Sequence, residues 1–199
     1  MPASRYVLAV ALACLSNFYL SNAAAQQSDQ VAAERVLGPQ WKQLSRRAGM
    51  IFAGTVLPTA PQNLTTQTPT TNRLVSGTTT AVELRFRVDE AIAGVEPGQI
   101  LTIHEWAGAW AMHRPMTSGQ HILIFLYPPS RLGLTSPVGG SLGQVALDPG
   151  GKNVSKYALK RSAAMSLPSV LSPQSRAPIS SGNVSVVQLE RAIRGAREE

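Results

Sequence analysis

Polar and apolar residues alternate strictly along one stretch of this chain. Val82, Leu84, Phe86 and Val88 alternate with Glu83, Arg85, Arg87 and Asp89. A period of two predicts a long strand with one buried and one charged face. The segment "ILTIHEW" (100–106) alternates too. If Ile103 faces inward, Glu105 does as well, while His104 and Trp106 face out. The nearly continuous apolar run Ile122 to Tyr127 suits a central strand covered on both faces, and Pro128-Pro129 end it. "GMIFAGTVL" (49–57) reads as a further strand, with Gly54 marking a bulge or close packing. "GQVAL" and "KNVSKYAL", joined by "DPGG", predict a hairpin. The pattern thus gives about six strands between residues 49 and 160.

Between the strands the chain is punctuated. "EAIAG" (90–94) predicts a single turn closed by Gly94, and "EPGQ" a second turn. Residues 58–77 are Thr/Pro/Gln-rich and predict a long exposed loop or an extended hairpin arm. "SRLGLTSPVGGSLG" predicts a flexible glycine-rich connection. Residues 28–48 carry a helical pattern interrupted at Gly38-Pro39. In the tail, Ser185 can cap a helix whose Val186, Leu189, Ala192 and Ile193 share a face. The expected layout is a signal peptide (1–25), an N-terminal helical segment (26–48), a β domain (49–160), a Pro/Ser-rich linker (161–183) and a C-terminal helix (184–199). The short connections predict a mainly antiparallel sheet. A small OB-like barrel, which removes open edges, is the expected fold, with a two-sheet β-sandwich as the alternative.

The leader and the charge narrow the setting. Arg5 precedes the apolar run "YVLAVALACL", and Ala23-Ala24-Ala25 offers a signal-peptidase site before Gln26. Ala11 stands where a lipoprotein box needs a branched aliphatic residue, so cleavage after Ala25 is expected rather than lipidation at Cys14. Cys14 is the sole cysteine, so no disulfide is expected in the mature chain, which is read as secreted or periplasmic. No other apolar run approaches the length of a membrane span. The formal charge is +7, falling by one to +6 with the loss of Arg5, but only 15% of residues are charged. The positives are scattered, which suits a solvated surface or attraction to an anionic envelope polymer. The export signal, and the lack of an aromatic series on one strand, argue against nucleic acid.

The succession "AGMIFAGTV", "VELRFRVDEAIAG", "GQILTIHEW" and "GQHILIFLY" resembles the netrin-like or TIMP-like OB module over roughly residues 48–147. The chain is also similar to secreted bacterial proteins carrying "EWAG" and "GLTSP" segments. The resemblance implies the OB fold and a general role in binding extracytoplasmic partners. The N-terminal cysteine through which the inhibitors of that family chelate a protease metal has no counterpart in this sequence, so protease inhibition does not carry over.

The candidate chemistry lies in "LTIHEWAGAWAMHRP" (101–115). His104, Glu105, His113 and His121 could together serve a metal-dependent hydrolase. Yet a zinc-protease helix reads H-E-x-x-H, and Gly108 occupies the place of the second histidine. Neighbours in a strand also diverge, so no metal ligand, cofactor or catalytic residue is expected. No G-x-S-x-G motif or phosphate loop is present. Trp106 and Trp110 either fold back to plug the barrel end or stay exposed to anchor a partner. In the second case Trp106, Trp110, His113, Arg114, Leu134 and Thr135 form the binding patch. The expected function is a non-enzymatic binding module for a protein or polymer of the cell envelope, the alternatives being that hydrolase and a structural envelope component.

Overall fold

A computed structural model of the chain describes residues 25–58, 63–66, 79–110, 116–156, 158–159 and 183–199. The expected signal peptide except Ala25, most of the expected linker, His113 and Arg114 lie outside them. Helix α1 (25–37) ends at Gly38, whose φ of 83° is the left-handed turn that a helix C-terminus favours. Helix α2 (Trp41–Arg47) follows at once. The strands are β1 (Met50–Leu57), β2 (Asn63–Thr66), β3 (Thr79–Ala93), β4 (Ile100–Trp106), β5 (His121–Leu126) and β6 (Gln144–Ala146). Helix α3 (Val186–Glu198) closes the chain. No helix among the described residues is long and apolar enough to cross a membrane.

The strands form one antiparallel sheet. β3 is its spine. β4 pairs with Ala81 to Arg87 of β3, overlapping the stretches paired with β2 and β1. A strand has two edges, so β1 and β2 must share the edge opposite β4, one after the other. The segment expected to be an exposed loop or an extended hairpin arm contributes a strand, Asn63–Thr66, which pairs with β3.

Glu90 to Ala93 are not the expected turn but the last residues of β3. The register along β1 skips Asp89 and Ile92, so β3 carries two extra residues there. Such bulges increase the local twist and bend a strand. Only at Gly94, at φ 70°, does the chain leave β3, and a Cβ there would meet the Gly49 carbonyl. The expected hairpin after β6 is also shorter than a strand pair. Leu147 and Val154 make one bridge, and residues 156, 158 and 159 are then helical.

Two apolar clusters lie on opposite faces of β1 and β5, which explains their nearly continuous apolar sequences. Ile51, Ala53, Leu123 and Phe125 face the helices, packing with Ala33, Trp41, Leu189 and Ile193. Phe52, Val56, Leu84, Phe86, Val88, Ile103, Ile122, Ile124 and Leu126 form the second cluster. Among the described residues no helix packs on that face in this cluster, yet most of these side chains, drawn from β1, β3, β4 and β5, are almost wholly buried, so the sheet curls around them. Phe52 and Phe86 meet edge to face at 5.5 Å.

The curl does not amount to a closed barrel of strands. Among the described residues no ladder joins β4 to β5 or β6. The expected barrel is therefore, in its strand pairing, an open antiparallel sheet with flanking helices. The gap is crossed by the loop 127–138, which makes single bridges from Leu134 to His104 and from Pro137 to Leu126. The glycine-rich connection is thus held at both sides by backbone bonds: Thr135 N–H donates to His104 and Val138 N–H to Phe125.

Helix α3 is fixed by its sequence. Ser185 and Gln188 form a reciprocal capping box at its start. Its buried Leu189 and Ile193 each contribute about 2 kcal/mol of apolar burial.

Candidate functional site

β4 separates its residues as an alternating strand must. Ile103 and Glu105 are buried, while Ile100, Thr102 and Trp106 are exposed and His104 is half-exposed. Opposite them on β3 stand Arg87 (facing Ile100), Arg85 (Thr102), Glu83 (His104) and Ala81 (Trp106). Directly opposite residues of an antiparallel pair share a face, so these side chains form one outward strip, in which only Ala81 is covered. Within it, His104 Nε2 stands 3.7 Å from the Glu83 carboxylate. Arg87 Nε donates to Asp89 at 2.9 Å.

Trp106 is 54% exposed, and the short helical turn Ala107–Trp110 that follows explains its posture. A Cβ on Gly108 would stand 2.5–2.7 Å from three atoms of the indole ring. The ring therefore rests against the glycine backbone, and only a residue without a side chain admits it. Bracing on one side leaves the indole open to solvent elsewhere.

Glu105 points the other way and is fully buried. Its ladder partner is Val82, and Ile103 precedes it on the inner face. Burial pushes its carboxyl up to about 7. A carboxylic acid that is still about half protonated at neutrality can, in that form, donate as well as accept a hydrogen bond.

A second polar group sits where β1, β3 and β5 meet. The Thr55 hydroxyl donates to Asp89 at 2.7 Å and lies 3.1 Å from His121 Nδ1. A hydroxyl has one proton, and Asp89 receives it. His121 Nδ1 must therefore carry the proton shared with Thr55. Arg87 Nη2 donates weakly to the same hydroxyl at 3.3 Å. His121 pairs with Thr55 of β1, not with β4.

No family model matches this chain. No curated protein and no solved structure matches it significantly either.

The residues singled out from the sequence are thus dispersed by the fold. Trp106 and Leu134 lie on the same corner, Leu134 bridging His104. Thr135 is beside them but buried, its hydroxyl donating to the Tyr127 carbonyl at 2.6 Å, so it holds the loop rather than facing a partner. Trp110 ends the short helical turn; its side chain, like His113 and Arg114, lies outside the described residues. Of the metal candidates, His104 and Glu105 occupy opposite faces and His121 opens a different strand. Among the described residues no three His, Cys, Asp or Glu side chains gather as a metal site.

Two kinds of feature are invisible in the sequence. Arg85, Gly108 and the Thr55–Asp89–His121 group acquire their places only when strand register is known. A groove of about 720 Å³ between α1 and α3, floored by Trp41, Ala192 and Ala196, depends on helix packing. Its rim carries the Asp29–Arg191 ion pair at 3.1 Å.

Proposed function

We propose that this chain is an exported, non-enzymatic binding module that holds a protein or polymer partner in the cell envelope. The exposed Trp106, braced on Gly108 at the corner of β4, is the observation that carries the reading. An aromatic ring fixed before binding loses little entropy on contact and supplies a large amphipathic surface. In the same reading the curled sheet is an OB-like barrel of the netrin-like kind, with the loop 127–138 standing in for the missing strand contact. The bridges of Leu134 and Pro137 support that view. The apolar leader before Ala25 supports export to the periplasm or beyond.

The hydrolase built from His104, Glu105, His113 and His121 is less favoured, because alternation drives His104 and Glu105 apart. A purely structural envelope component has no need of a braced, open indole. The test is saturable retention of an isolated envelope fraction by the immobilised mature chain. Loss of that retention in Trp106→Ala, with an unchanged melting temperature, is expected. Equal retention by both proteins sinks the reading.

A further inference from the structure

We propose that the Trp106 corner takes an anionic polysaccharide, an inference that rests on this corner being the binding surface. The indole is held against Gly108 and is open to solvent. A rigid aromatic face of this kind suits the C–H-lined face of a sugar ring. Next to it on the outward strip come His104 and Thr102, which supply hydrogen-bonding groups. Arg85 faces Thr102 across the ladder. Arg131 lies in the exposed turn beside Leu134, the residue bridged to His104.

Not every charge on this strip is paired. Arg87 is tied to Asp89, and Glu83 faces His104, which carries a charge only when protonated. Arg85 and Arg131 have no carboxylate partner among the described residues. A stacking ring at the end of a strip whose Arg85 makes no ion pair among the described residues, with Arg131 in the turn beside Leu134, matches a chain of sugars bearing carboxylate or sulfate groups, with one ring on Trp106 and an acid group at Arg85. A protein interface calls instead for a desolvated apolar centre. The centre of this strip is polar: Thr102, His104, Arg85 and Glu83.

Affinity electrophoresis of the full mature chain tests this, in gels containing a polyuronate, a sulfated dextran or neutral dextran. Retardation by one or both acidic polymers, and none by neutral dextran, is expected; which of the two is stronger separates carboxylate from sulfate recognition. Trp106→Ala and Arg85→Gln are each expected to weaken retardation by roughly five-fold, the size of one aromatic or charged contact. Arg131→Gln, in an exposed turn, repeats the charge test without touching the sheet. Retardation indifferent to Trp106→Ala overturns the proposal, since it is then general polycation attraction. Stronger binding to phosphatidylglycerol vesicles than to either polymer overturns it in favour of a lipid surface. If neither polymer binds but an envelope-protein fraction is retained in a Trp106-dependent way, the ligand class falls and the binding-module reading stands. If Trp106→Ala changes nothing in either assay, both fall.

Discussion

Arg46 and Arg197 each donate to a carbonyl at the C-terminal end of the helix that carries the other. Arg46 Nε, on α2, donates to Ala196 O of α3 at 2.9 Å. Arg197 Nη1, on α3, donates to Ser45 O and to Ala48 O, the latter at 2.9 Å. The last carbonyls of a helix have no partner within it, and the helix dipole makes that end negative. A guanidinium answers both needs. Arg197→Met keeps the packing stem and removes the donors, and should destabilise the fold by about 1–2 kcal/mol in urea denaturation. Arg46→Met, whose side chain is half-exposed, should cost less than that. Equal, negligible losses would show that apolar packing alone docks α3.

Glu105 makes the stability of the protein depend on pH in an unusual direction. Burial raises its folded carboxyl from the ordinary 4.5 to about 7. The folded state then holds the proton more tightly than the unfolded state. Below about 4.5 both states are protonated and Glu105 costs nothing. As pH rises from about 4.5 to about 7, the unfolded state ionises first and stability falls; above 7 the loss is complete. The full difference is about 3 kcal/mol as an upper scale. Glu105→Gln should remove this slope, leaving the variant more stable than the parent at pH 8 and close to it at pH 4.5. Burial, and the neighbouring Glu190, raise Glu90 in the same direction, so some slope should survive in the variant. Denaturation midpoints at the two pH values measure both effects. An unaltered slope in Glu105→Gln excludes Glu105 as its source.

The inward turn of Glu105 is legible from alternation alone, as is the outward turn of Trp106. A period of two is a local property, and the pleat enforces it whatever the partners are. Register is not local. Nothing in "VDEAIAG" distinguishes a turn from a bulged strand, because both use small and acidic residues before a glycine. β1 on the neighbouring edge decides the matter, holding Ala91 and Ala93 in the sheet while Asp89 and Ile92 bulge out. Loop 127–138 poses the same difficulty. Its glycines read as freedom, yet Thr135 is buried and bonded on two sides. Gly108 reads as a missing histidine; its role as the seat of the Trp106 ring needs the helical turn after β4.

The proton assignment at Thr55 can be checked directly. Because Thr55 gives its hydroxyl proton to Asp89, neutral His121 should be the Nδ1–H tautomer. Nitrogen-15 chemical shifts of the imidazole report this. Thr55→Val keeps the shape, removes the bridge and leaves Asp89 with Arg87 and, at 3.7 Å, His121 Nδ1. The variant should lose about 1 kcal/mol, while the Asp89 carboxylate, 3.7 Å from Nδ1, should keep the proton of neutral His121 on Nδ1. A parent protein already in the Nε2–H form would refute this proton order.

Gly108→Ala separates the posture of Trp106 from its presence. The added methyl would stand 2.5–2.7 Å from ring atoms of an exposed side chain, which can swing aside. The fold should therefore survive with a loss of no more than about 1 kcal/mol, since the strand, the ladder and both clusters are untouched. Binding should fall nearly as far as in Trp106→Ala, because the indole is then present but no longer held. Fluorescence quenching by acrylamide should rise as the ring leaves its seat. If Gly108→Ala binds as the parent does while Trp106→Ala does not, the ring acts through its area alone and its bracing is incidental. If the two variants weaken together, binding depends on the fixed orientation that β4 and its glycine turn impose.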